Sequence, residues 1–84
     1  MMKVVKVKWV DAQCLEEWMD HEESEEYCQE EPAPSFTVGF LISESNTHVS
    51  VAQTYDEEHA ANLWKIPRGM IVSIEVINEH EIIS

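Results

Sequence analysis

Apolar residues in this chain recur mainly at every second position, in short runs separated by turn-forming residues. Over residues 3–10, Val5, Val7 and Trp9 fall on one side, while Lys6 and Lys8 fall on the other with Val4 and Val10. A period of two marks a half-buried strand, because successive side chains of an extended backbone point to opposite faces. Residues 35–44 repeat the pattern, with Phe36, Val38, Phe40 and Ile42 against Thr37, Gly39, Leu41 and Ser43. A glycine inside such a run signals a strong bend or the close approach of another backbone. Glu44, Ser45, Asn46 and Thr47 suit a hairpin turn. Residues 48–55 return as a third strand, with Val49 and Val51 inward alongside Gln53.

The remaining third is less regular. Residues 56–62 read as an acidic loop with room for one helical turn at Ala60 and Ala61. A short fourth strand is expected over 63–66, broken at Pro67, Arg68 and Gly69, since proline cannot donate to a ladder. Residues 70–77 carry apolar side chains on both faces, as a central or interface strand does. Ile82 and Ile83 are expected to extend that strand or to meet a partner chain.

One helix is expected after the first strand. Asp11 is suited to cap it, and Leu15, Trp18 and Met19 recur at helical spacing over residues 12–21. Beyond it, Glu22, Glu23, Glu25 and Glu26 repel one another, and Pro32 and Pro34 force an extended exit, so 22–34 is expected to be a mobile loop with room for helical turns. The fold class that follows is mainly β. It is a five-stranded SH3-like or Sm-like small barrel formed by a single domain over 1–84, with an acidic insertion at about 21–34. An open sheet with the helix on one face is the alternative.

Charge narrows the function. Of seventeen carboxylates, fourteen lie between Trp9 and Trp64, a span without a single Lys or Arg, and the net charge is -12. Such a surface repels nucleic-acid backbone and anionic membrane and attracts basic protein surfaces. Direct nucleic-acid binding and membrane binding are therefore not expected. No secretory signal pattern is present, so a cytoplasmic location is expected, with Cys14 and Cys28 as reduced thiols.

Several pieces in fixed order resemble a group of small proteins encoded by tailed bacteriophages and prophages. These are Trp9-Val10-Asp11-Ala12 at the end of the first strand, Trp18, then Thr37-Val38-Gly39-Phe40-Leu41, and last Ile66-Pro67-Arg68-Gly69-Met70-Ile71. Thr37 stands where that pattern usually has serine. The resemblance implies a small phage accessory protein in the cytoplasm of a bacterial host, and it contributes no catalytic residue.

Trp9 and Trp18 are expected to pack the helix onto the barrel. Trp64, which follows a loop, is the better aromatic candidate for ligand stacking and, with Arg68 and Gln53, is a possible ligand contact in a subunit junction of a symmetric oligomer; the plainer role of Arg68 is pairing with a nearby glutamate of the same chain. Cys14, His21 and Cys28 lack the close pairing of a zinc site, and the acidic stretch lacks the glycine-centred loop of a calcium site, so neither metal nor cofactor is expected. No nucleophile elbow, Cys-His signature or phosphate-cradling glycine loop occurs, and no enzyme is expected. The partner-binding candidates are Glu16, Glu17, Asp20, Glu22, Glu23, Glu25, Glu26, Glu30 and Glu31, with Asp56, Glu57 and Glu58. The plainer reading is that they only keep the chain soluble. The sharper one is that closely spaced carboxylates imitate a phosphate array and occupy a basic groove on a host defence or nucleic-acid enzyme. Sequestration of a signalling nucleotide and a virion-structural role are the other two classes. In each, the two-faced last strand suggests a homo-oligomer, most simply a dimer paired through an exposed edge.

Overall fold

The structure, a computed structural model, describes residues 2–80, the side chains of 79 and 80 excepted. Alternation in the sequence becomes five strands: β1 (Met2–Trp9), β2 (Ser35–Glu44), β3 (His48–Tyr55), β4 (Ala60–Pro67) and β5 (Ile71–His80). All neighbours are antiparallel, in the order β4-β3-β2-β1-β5. The fold is thus mainly β with one helix, α1 (His21–Gln29). β4 and β5 are the two edges of the sheet, which is not closed.

The sheet nevertheless curls. β1 and β3 are separated by β2, yet Val5 and Val7 share one buried cluster with Val49, Val51 and Ile66. Trp9, Leu41, Ile71 and Ile74 pack against it. Only a sheet bent upon itself brings those side chains together. Gly39 permits the bend: a Cβ there would stand 2.4 Å from the Ala52 carbonyl oxygen and 2.8 Å from Val51 Cγ1. The close backbone approach expected from a glycine in mid-strand is therefore present.

Alternation alone does not say which face of β2 is inner. The structure turns Thr37, Gly39 and Leu41 inward and leaves Phe36, Val38 and Ile42 exposed. The indole Nε1 of Trp9 donates to Thr37 Oγ1 at 3.0 Å, which satisfies both polar groups beside the core.

Several expectations are corrected. Residues 12–20 are not helical, and the one helix occupies His21–Gln29, almost wholly within the stretch where only helical turns in a loop are expected. Trp18 is fully exposed and Leu15 is exposed, so neither packs a helix onto the sheet. The acidic loop after β3 ends at His59, and Ala60 and Ala61 begin β4 instead of forming a helical turn. Gln53 does not join Val49 and Val51 inside; it is exposed. The break after Pro67 is a single 3-10 turn, Arg68–Met70. The expectation for Ile82 and Ile83 lies outside the described residues.

Candidate functional site

Residues 10–34 leave the sheet after Trp9 and rejoin it at Ser35, which is Trp9's partner in the β1–β2 ladder. They form an arm rooted at one point. The molecule is 60 Å long but only about 20 Å across, with a radius of gyration of 17.2 Å. A compact domain of this length would have about 12 Å. No residue of α1 is buried. The arm therefore stands off the sheet; beyond Val10, whose N–H donates to the Met70 carbonyl at 2.8 Å, its hydrogen bonds are local.

Those bonds place the helix. Asp20, not Asp11, is its N-cap: the Asp20 carboxylate accepts from the backbone N–H of Glu23 at 2.8 Å. Glu22 and Glu23 then sit in the first turn, where the free N–H groups and the macrodipole favour negative charge. Asp11 instead accepts from the next residue, Ala12, at 2.8 Å. At the far end Glu30 N–H donates to the Tyr27 carbonyl, before Pro32 ends the turn. Tyr27, half-buried, lines an open cleft with Gln13, Cys28, Glu30, Glu31 and Pro32, where the chain before the helix folds against its last turn.

Nine of the twelve sequence-derived carboxylates lie on this arm: Glu16, Glu17, Asp20, Glu22, Glu23, Glu25, Glu26, Glu30 and Glu31, all exposed. The ion pairs of lysine and arginine among the described residues lie elsewhere, joining Lys6 to Glu75 (3.5 Å) and Arg68 to Glu44 (3.4 Å), as does the contact of His59 Nδ1 with Asp56 Oδ1 (3.4 Å). Among the described residues, none of the arm's carboxylates is in an ion pair. Trp18, an aromatic side chain wholly in solvent, sits in the middle of it.

Asp56, Glu57 and Glu58 belong to a different connection, the β3–β4 hairpin. Asp56 Oδ1 accepts from the backbone N–H groups of Glu58 (2.9 Å) and His59 (2.7 Å). These bonds hold its carboxyl below the ordinary value of 3.8. That carboxylate fixes the loop, while Glu57 and Glu58 are left exposed.

The possible ligand contacts are not gathered into one pocket. Trp64, 44% exposed, pairs with Val51 in the β3–β4 ladder. Gln53 is two residues farther along β3. Arg68 lies beyond the end of β4 and is engaged there, its Nε donating to the Ser45 carbonyl at 2.9 Å and its guanidinium meeting Glu44. It ties the β2–β3 turn to the 3-10 turn. Among the described residues no cluster of three metal-ligating side chains occurs, and no helix is long and apolar enough to cross a membrane. Cys14 and Cys28 are free and exposed.

Sequence reasoning missed one surface. The outer face of β1–β2 pairs Lys8 with Phe36, Lys6 with Val38 and Val4 with Phe40. Phe36 is 57% exposed and Lys6 Nζ lies 5.6 Å from its ring centroid. The alternation of lysine and valine in β1 was the available signal. Comparison with family models, with curated proteins and with solved structures finds no match.

Proposed function

We propose that this chain is a non-enzymatic accessory protein of the tailed-phage type, whose acidic arm binds a basic surface of a host protein in the bacterial cytoplasm. One observation carries the reading: ten carboxylates and no Lys or Arg over residues 11–34, none of them in an ion pair among the described residues. Carboxylates held apart from their own chain's cations keep their full attraction for a partner's. They speed encounter and make it salt-sensitive, because opposite charges steer two surfaces together across a Debye length. Trp18 supplies the apolar anchor that charge alone lacks, as exposed tryptophans do at interface centres. Glu57 and Glu58 on the β3–β4 hairpin add a second acidic contact. A basic groove that normally holds phosphates is the matching surface, so the host target is a defence or nucleic-acid enzyme.

The sheet serves as the platform, and we read it as an SH3-like barrel that is left open. The strand order, the long β2 shared by both halves and the 3-10 turn before β5 support that reading.

The test is capture from bacterial lysate on the immobilised protein. A basic protein retained at low salt and released at high salt is expected. Retention should fall when Glu22, Glu23, Glu25 and Glu26 are changed to glutamine. Capture that ignores salt and those substitutions would count decisively against the reading.

A further inference from the structure

The arm has a complement within the same protein. The outer face of β1–β2 is apolar and basic, with Phe36 and Val38 exposed beside Lys6 and Lys8. Across the ladder to β5, Lys8 faces Ser73 and Lys6 faces Glu75. Glu75 is thus the one carboxylate that touches this patch among the described residues, and it is paired with Lys6. Lys8 has no ion pair among them. In a chain of net charge -12, this is a locally positive surface.

The arm has the opposite character. Leu15 and Trp18 are exposed and stand next to Glu16, Glu17 and Asp20. An exposed Phe-Val row flanked by lysines and an exposed Leu-Trp pair flanked by carboxylates match in both hydrophobicity and sign. Exposed apolar patches of this kind on a small soluble protein mark interaction surfaces.

We propose that two copies of this chain exchange arms, each placing Leu15 and Trp18 on the Phe36–Val38 row of the other, with Glu16 and Glu17 against Lys8 and Lys6. The occupant is a second copy because the face and the arm are complementary, while Trp18 is fully exposed and so does not lie on the face of its own chain. The contact is isologous, so one pairing makes two identical interfaces and closes as a dimer. It rests on the same exposed arm as the proposed function. It also adds a regulatory consequence, since a host partner must displace the exchanged arm.

Charge reversal in pairs tests it. Lys6→Glu/Lys8→Glu makes the face negative; Glu16→Lys/Glu17→Lys makes the arm positive and leaves the Asp20 cap intact. By sedimentation, the parent protein should be a dimer that weakens as salt rises from about 0.05 M to about 0.5 M. Each variant alone should bind itself at least about tenfold more weakly, since like charges then meet. An equal mixture of the two should restore a dimer, because both arm-to-face contacts regain opposite signs. A monomer at every concentration would overturn the inference. So would a dimer unmoved by either reversal, which would place the contact away from this face, as at an edge of the sheet. A mixture that stays monomeric would equally overturn it, since an arm folded onto its own face cannot be rescued in trans. Capture of a basic host protein is read separately with the Lys6→Glu/Lys8→Glu variant, whose arm is unchanged, so the two readings fail independently.

Discussion

The curled sheet and the acidic arm are built by different physics in one short chain. In the sheet, each strand is held by its neighbours and by a shared cluster of buried valines. Sheet order is therefore long-range and cooperative. In the arm, α1 buries nothing and is held by an aspartate cap, a first turn rich in glutamate and a terminal backbone bond. Arm order is local. The comparison teaches where binding function sits: the region that carries the charge and the exposed Trp18 is also the one with least invested in the fold, as interaction segments commonly are.

The largest effect should come from the sheet's tightest point. Gly39→Ala would put a methyl group 2.4 Å from the Ala52 carbonyl oxygen. Backbone must move, and the expected cost is about 3 kcal/mol, a large part of the stability of so small a domain. Gly69→Ala is the control, because a Cβ there meets nothing within 4 Å and the backbone is not in the left-handed region. That change should be neutral or stabilise by up to about 1 kcal/mol through the unfolded state. Urea unfolding measures both; equal costs would mean that Gly39 is not a crossing point.

Next comes a direct contrast between the regions. Val7→Ala removes two methyl groups from a fully buried site and should cost about 2 kcal/mol. Trp18→Ala removes a far larger side chain from solvent and should change stability by less than about 0.5 kcal/mol. The order reverses for binding. Trp18→Ala should weaken association with a basic partner, or with a second copy, by about tenfold or more, and Val7→Ala should leave affinity intact at temperatures where the variant is folded. A large stability loss on removing Trp18 would erase the distinction between sheet and arm.

The same division explains what was legible in the sequence. Strands were legible because Val5/Val7 and Val49/Val51 alternate with polar neighbours, and that period has one structural meaning when one face is buried. The inner face of β2 was not, because its larger side chains, Phe36, Val38 and Phe40, face outward. Small Thr37 and Gly39 are inside, where Trp9 and the β3 backbone come too close for anything bigger. The helix was misplaced for a related reason. Leu15, Trp18 and Met19 have helical spacing, but amphipathic spacing predicts a helix only where a face exists to receive it, and the arm has none. Without burial, the cap decides, and Asp20 with Glu22 and Glu23 outweighs mutual repulsion among the glutamates. The acidic candidates were legible as a group, since composition alone gathers them. Arg68 was less so, because its carbonyl partner at Ser45 is set by tertiary structure.

A smaller effect probes the arm alone. Asp20→Ala removes the cap and should cost α1 about 1 kcal/mol. Because the helix is not packed on the sheet, amide exchange over residues 21–29 should quicken by about fivefold while the midpoint of global unfolding stays put. A matching fall in that midpoint would show that arm and sheet unfold together, contrary to the comparison.

The smallest effect lies at the other acidic loop and is a pH step. The backbone N–H of Glu58, then that of His59, hold the Asp56 carboxyl below 3.8. A carboxyl with a lower folded than unfolded value contributes stability that is present above the unfolded value and is lost as pH falls through the folded one. The β3–β4 loop should therefore loosen only in strong acid, below the usual aspartate range, with the Glu58 and His59 amide signals moving at the Asp56 midpoint. Asp56→Asn keeps a side-chain oxygen that can accept the same two N–H bonds but cannot titrate, so it should hold the loop and abolish the step. A step that survives in Asp56→Asn would assign the acid response to another group, and the carboxylates of this loop would then have to be counted with those of the arm, as charges free to meet a partner.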